Sequence, residues 1–240
     1  MVPTTIFIVP YRDREAHYDF FSKHIESLGL IDDETDIYYI HQNDTRPFNR
    51  GAVKNIGFLV VKEKYPKDYQ NITLVFQDID SMAREKQNYA TVQGTIKHFY
   101  GVSHALGGIV SITCGDFEKL DGFPNLWGWG YEDNALQNRA KKAKLVVDRS
   151  VFFKMQDREN IVRMPEDDFR TVNREDFDVY LKNNEGLRDI HNLTYEFGEK
   201  GFVHVNSFET KRPPNYSKFQ KYDLKNGTNV FDNRLKMCFL

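Results

Sequence analysis

The 240-residue sequence predicts an α/β fold with a largely parallel central sheet. Three observations carry that expectation. Short apolar, β-branched runs alternate along the chain with segments of helical period. Turn formers punctuate the alternation at places such as Gly29 and Pro66. The polar residues of unusual type gather just after the strand-like runs, where open α/β sheets collect their ligands.

The elements follow in order. TTIFIVP, from Thr4 to Pro10, reads as a buried strand. After Asp13, an N-cap type, Tyr18, Phe21, Ile25 and Leu28 mark one face of a helix that stops at Gly29. DIYYIHQ, from Asp36 to Gln42, is a second strand. The helix after FNRGAVKN turns Ile56 and Val60 inward and ends near Pro66. NITLVFQDID, from Asn71 to Asp80, is a third strand that ends abruptly in acids. GGIVSIT (Gly107 to Thr113) and KLVVD (Lys144 to Asp148) are further strands, separated by WGWGYEDN and its helix. From about Asp157 to Arg188 the chain is charged and weakly periodic, which predicts a mobile loop or irregular subdomain.

Composition narrows the function. A net charge of −2 gives no electrostatic case for nucleic acid or an anionic membrane surface. No run approaches the roughly 20 apolar residues of a membrane helix. Two cysteines, Cys114 and Cys238, are too few for a disulfide framework and read as reduced thiols. With no leader-like start, the expectation is a cytoplasmic protein or an excised soluble domain.

Four segments could carry chemistry. Asp78 and Asp80 in FQDIDSM fall on one side of an extended chain, a pattern that can hold a divalent cation beside a diphosphate. Solvated acids at a strand end are the alternative. PYRDRE and RPFNRG each set an aromatic beside arginine, and such groups suit a base ring and phosphate oxygens. Surface pairing with Asp13 or Glu15 is the alternative. In WGWGYEDN, Gly128 and Gly130 permit a sharp turn, and Trp127 and Trp129 could stack on a sugar. Glu132 and Asp133 then open a helix whose dipole favours their ionised forms, and an ionised carboxylate beside a hydroxyl can act as general base. A tryptophan turn packed on the core, with an acidic helix start, is the alternative. The seven histidines show no metal-ligand spacing and read mostly as surface or edge residues.

Taken in order, VPYRDRE, FNRGAVKNIGF, FQDIDSM, GGIVSIT and DGFPNLWGWGYEDN resemble the β1,4-galactosyltransferase-like family of glycosyltransferases. The resemblance covers most of the chain from Thr5 to about Asp157 and runs more loosely to NLTYEF. It implies a GT-A fold over a single domain, residues 1–240. Residues 1–157 would be the donor-binding and catalytic core, and residues 158–240 a charged loop and acceptor-side portion. It implies a UDP-sugar donor, a glycan acceptor, inversion at the anomeric carbon, and Mn²⁺ or Mg²⁺.

By motif, the resemblance implies donor contacts from Pro10, Tyr11, Arg12, Arg14, Phe48, Arg50, Asp78, Ile79, Asp80, Trp129 and Gly130. Asp80 would also be a metal ligand. Trp129, Tyr131, Glu132 and Asp133 would meet the acceptor, with Asp133 as the base and Glu132 binding sugar hydroxyls. Three departures stand out. Tyr131 replaces a family glycine. Ala105 replaces an aromatic two residues before the Gly107–Gly108 pair, which leaves room for an N-acetylated donor beside galactose itself. The run from Phe152 to Glu159 lacks the family's metal-binding histidine, and Met155 and Asp157 are the nearest substitutes. Two other classes share parts of this pattern: a catalytically silent sugar-nucleotide or glycan-binding module, and a nucleotidyltransferase. The latter would want a glycine-rich phosphate loop that VPYRDRE does not provide.

Overall fold

The computed structural model describes residues 1–165, 168–182 and 184–226. The elements run β1 (Thr5–Tyr11), α1 (Glu15–Ser27), β2 (Thr35–Gln42), α2 (Arg50–Lys64), β3 (Thr73–Gln77), β4 (Ser81–Ala83), β5 (Thr95–Gly101) and β6 (Ile109–Thr113). They continue with α3 (Cys114–Lys119), α4 (Glu132–Lys142), β7 (Val146–Asp148), β8 (Phe153–Lys154), β9 (Ile161–Arg163), β10 (Phe169–Asn173) and α5 (Arg174–Lys182). The last three are β11 (His191–Phe197), β12 (Phe202–Glu209) and β13 (Phe219–Asp223).

The main sheet has the order β11-β12-β2-β1-β3-β6-β5-β7, with β8 also on β5. Around β1 it is parallel: β12 on β2, β2 on β1 and β1 on β3. The expectation of an α/β fold with a mostly parallel sheet holds, with reversals at the edge strand β11, antiparallel to β12, and at β6. β6 runs antiparallel to both β3 and β5. GGIVSIT is therefore a strand, but a reversed one.

Side-chain alternation builds the layers. In β1, Ile6 and Ile8 join one apolar cluster while Phe7, Val9 and Tyr11 join another. The first cluster includes Ala52, Val53, Ile56 and Val60 of α2, and the second includes Phe21 and Ile25 of α1. Helices on both faces explain why β1 is apolar throughout rather than at alternate positions.

Three expectations need correction. Asp13 does not cap α1: Arg14 holds the N-cap position, and Asp13 sits at φ 49° in the tight turn before it. The helix does end where expected, with Gly29 at φ 57° accepting the left-handed turn that favours glycine. The charged 157–188 segment holds regular elements among its described residues. It carries β9, β10 and α5, and Val172 and Val179 pack with Leu126 and Tyr131 in a third apolar cluster. Finally, His98 is wholly buried rather than at an edge.

Cys114 is a buried free thiol, whereas Cys238 lies outside the described residues. Among the described residues no helix is long and apolar enough to cross a membrane.

Candidate functional site

The site forms where three elements converge: the N-terminal turn of α2, the end of β3 and the first turn of α4. Arg50 opens α2 behind Asn49, whose side chain accepts from the Ala52 N–H. Four residues on, Lys54 lies on the same helix face. Asp78 follows β3 directly, its N–H donating to the Gly108 carbonyl at 3.1 Å. Glu132 and Asp133 are the first two residues of α4, after Tyr131 at φ 71°.

These groups form two ion-paired sets, joined by the neighbouring carboxylates Glu132 and Asp133. The Arg50 guanidinium donates to Asp78 at 2.8 Å, and its Nε lies 3.1 Å from Glu132. Lys54 Nζ lies 3.0 Å from Asp133 Oδ1. Burial would push the Asp78 carboxyl up, but Arg50, Lys54 and Arg163 together hold it below the usual aspartate value. Glu132 goes the other way: its burial and the neighbouring Asp133 raise it against the pull of Arg50 and Lys54. Asp133 is the more reachable carboxylate of that pair, its side chain 22% exposed against 5% for Glu132.

The β5–β6 loop walls one side. His98 Nε2 donates to the Tyr100 and Gly107 carbonyls at 3.0 and 3.1 Å, while its Nδ1 accepts from Arg149 Nε at 3.1 Å. Burial and Arg149 push this imidazole down to about 4, so it stays neutral and suits that donor–acceptor pattern. Leu106 N–H donates to the Asp133 carbonyl at 3.0 Å. Gly107 is required by close approach, since a Cβ there would lie 2.6 Å from Asp133 Cγ. Ala105 is buried in this same loop, two residues from the glycine that touches Asp133.

The two tryptophans separate. Trp127 is 3% exposed, stacks on Phe208 at 5.7 Å and donates to the Arg212 carbonyl at 2.8 Å. It is a core residue, not half of a sugar platform. Trp129 is half-buried, with the Arg170 guanidinium 5.7 Å from its ring. Between them, Gly128 N–H donates to the buried Asp176 at 2.6 Å, and a Cβ on Gly128 would meet that same oxygen. Gly130 needs its φ of 106° but has open space around it. Tyr131 stacks on Tyr180 at 5.1 Å and contacts Phe177, both on α5.

The other residues expected as donor contacts each have partners of their own. Arg12 braces the loop after β2: Nε donates to the Gln42 carbonyl at 3.1 Å, and Nη2 to the Asp44 carbonyl at 2.7 Å. Its guanidinium also binds the Arg46 carbonyl and lies 5.6 Å from the Phe48 ring. Arg14 Nη1 lies 3.4 Å from His17 Nε2. Pro10, Tyr11 and Ile79 are buried in the core. Asp80 accepts from Ser81 Oγ at 2.7 Å, and its carbonyl accepts from Met164 N–H.

Two of the residues expected to hold a metal are engaged by their own surroundings. Met155 packs on the second apolar cluster. Asp157 turns its carboxylate onto its own loop, accepting from the N–H groups of Glu159 and Asn160 and from the Asn160 side chain. Those hydrogen bonds hold it below the usual aspartate value. Among the described residues, no group of three or more His, Cys, Asp or Glu is arranged to hold a metal.

Sequence reasoning missed Lys54, Asn55, Gly107, His98 and Asp176. Asn55 accepts from Phe123 N–H and donates to the Phe123 carbonyl and to Asn125, tying α2 to the segment that leads into the tryptophan turn. A signal existed for Lys54, because its spacing from Arg50 puts both on one helix face.

Comparison with known proteins adds a family. A family model described as the N-terminal region of glycosyl transferase group 7 matches residues 2–93. One described as the N-terminal domain of galactosyltransferase matches residues 83–173. The chain is 32% identical over 154 residues to β-1,4-galactosyltransferase 5 of Sus scrofa and to β-1,4-galactosyltransferase 6 of Mus musculus. Each alignment covers 59% of this chain and only 39% of the relative's length. Among solved structures, the catalytic domain of Drosophila β1,4-galactosyltransferase 7 with xylobiose matches at TM-score 0.63 and 18% identity, over 88% of this chain and 96% of that one. A mutant of that protein, in complex with manganese, UDP-Gal and xylobiose, matches at TM-score 0.61. These structural matches establish the fold as that of the galactosyltransferase catalytic domains.

Proposed function

We propose that this chain, which belongs to the β1,4-galactosyltransferase-like family, is an inverting glycosyltransferase. It moves galactose or N-acetylgalactosamine from a UDP-sugar to a glycan hydroxyl. The observation that carries this reading is the Asp133 carboxylate, opening α4 and partly exposed beside the ion-paired Arg50, Asp78 and Glu132. In the reaction Asp133 takes the acceptor hydroxyl proton as the oxygen attacks the anomeric carbon. The bond from that carbon to the diphosphate oxygen breaks, and UDP leaves with the electron pair. Inversion follows from attack opposite the leaving group. Glu132, which holds its proton to higher pH than an ordinary glutamate, is suited to hydrogen-bond a sugar hydroxyl. Ala105, buried in the β5–β6 loop two residues before Gly107, is the side chain whose small size suits an acetamido group on the donor.

A divalent cation belongs to this reading because the Drosophila protein was crystallised with manganese and UDP-Gal. The donor set here does not fit a complete protein-held centre: Asp157 is spent on its own turn and Met155 on the core. No step is therefore assigned to a metal.

The test is release of UDP from UDP-Gal, UDP-GalNAc, UDP-Glc, UDP-GlcNAc and UDP-Xyl, with Mn²⁺, Mg²⁺ or EDTA and simple sugar acceptors. Wild type turns over a galactose-type donor. Asp133→Asn loses turnover by roughly 10²-fold or more while retaining UDP affinity. UDP binding without turnover on any donor and acceptor would favour the silent-module reading instead.

A further inference from the structure

We propose that Lys54 is a positioning residue for the base, clamping the Asp133 carboxylate in its working orientation; this rests on Asp133 being the base of the proposed transfer. Lys54 is 1% exposed, in the second turn of α2. Its ammonium lies 3.0 Å from Asp133 Oδ1 and 4.6 Å from the centre of the Phe123 ring. A cation removed from water to that degree is tolerated only when it is paired, and Asp133 and the face of Phe123 supply that pairing. Lys54 lies beneath the carboxylate rather than beside the opening, so it reaches no acceptor and acts through Asp133.

The second jaw of the clamp is backbone. Asp133 Oδ2 rests against the α-carbon of Gly107, so closely that a methyl group there would collide with it. Gly107 cannot drift away, because His98 holds its carbonyl at 3.1 Å and Leu106 N–H holds the Asp133 carbonyl at 3.0 Å. One carboxylate oxygen is thus fixed by a charge from α2 and the other by shape from the β5–β6 loop. General-base catalysis depends on that fixity, since displacement of a reacting group by about 1 Å can cost 10²-fold in rate.

Other charged groups face the same carboxylate. Glu132 precedes it on α4 and repels it, while Arg50, held by Asp78 and Glu132, stands one helical turn from Lys54. The Lys54 charge is felt by Asp78 and Glu132 as well as by its direct partner. Arg50 is already shared between two carboxylates and offers Asp133 no equivalent contact, so removal of Lys54 leaves Asp133 without its ion-pair partner.

The experiment compares wild type with Lys54→Met, which keeps the apolar stem and removes the charge, and with Lys54→Arg, which restores a cation. UDP affinity, kcat and KM are measured for each. Expected for Lys54→Met are a ~10–100-fold fall in kcat, with UDP affinity and KM within about twofold. Lys54→Arg, which restores the cation, recovers part of kcat. A Lys54→Met enzyme with wild-type kcat overturns the inference while leaving the transferase reading intact. An equal loss of kcat in Lys54→Met and Lys54→Arg, or a loss of UDP affinity alongside it, also overturns it, since that pattern marks packing alone. If Lys54→Met does not fold, Lys54→Gln replaces it, and the same kcat loss with its recovery in Lys54→Arg supports or overturns the clamp. A wild-type protein inactive on every donor overturns the transferase reading itself, a different result from either.

Discussion

Asp176 holds the turn between the two tryptophans, and its chemistry makes that hold dependent on pH. The side chain is 3% exposed, accepts from Gly128 N–H at 2.6 Å, and faces Glu132, Glu185 and Arg212. Burial, aided by the two glutamates and opposed by the Gly128 hydrogen bond and Arg212, pushes its carboxyl from 3.8 up to about 7. The acid is raised, so folding favours its protonated form. The corresponding stability is fully present below 3.8 and is lost as pH rises through about 7. Each pH unit inside that window is worth ~1.4 kcal/mol. About two such units lie between pH 5 and the upper end, so wild type loses roughly 3 kcal/mol from this group between about pH 5 and pH 8. Asp176→Asn keeps an oxygen for Gly128 and removes the titration. Urea unfolding, followed by tryptophan fluorescence between about pH 5 and pH 8, gives the free-energy difference between the two proteins. That difference should shift by roughly 3 kcal/mol in favour of the variant as pH rises. Parallel curves would show that Asp176 is not held protonated by the fold.

Three further outcomes are expected. Trp127→Ala should destabilise the fold by about 3–5 kcal/mol in the same urea assay, whereas Trp129→Ala should cost much less and instead raise the KM for donor or acceptor; equal stability losses would refute their separation. Gly107→Ala should lower kcat by ~10²-fold through the collision with Asp133, with UDP affinity retained in a titration; unaltered kcat would mean the loop yields. Ala105→Tyr should shift donor preference away from N-acetylated sugars in a UDP-release assay, and an unchanged ratio would remove the steric argument.

Legibility in the sequence follows local physics. The runs that form β1, β2 and β3 are apolar and β-branched, and helices α1 and α2 carry a clear apolar face. β5 is hidden because Lys97 and His98 interrupt its apolar pattern, and only packing shows that His98 is an interior hydrogen-bonding group. The charged segment around α5 conceals an element because Asp176 faces inward beside Val179. At the site, the Asp78–Asp80 and Glu132–Asp133 pairs are visible as short motifs. Arg12 is visible too, but its role is not: its donors brace backbone carbonyls of the loop from Gln42 to Arg46. Asp157 has the chemistry of a metal ligand and yet is a turn residue, its oxygens taken by the N–H groups that follow it.

The sequence by itself determined the periodicities, and so the elements that build the central sheet, together with the order of motifs that marks the family. Those depend on neighbours a few residues apart. Only the tertiary structure decided which tryptophan is core and which stays partly exposed, because the two differ in what lies across from them: Phe208 and Arg212 for Trp127, Arg170 for Trp129. It alone paired Arg50 with Asp78 across 28 residues and Lys54 with Asp133 across 79. Charges so far apart in the chain meet only after strand order and helix docking have fixed where α2 and α4 begin and where β3 ends, and that geometry has no local signature.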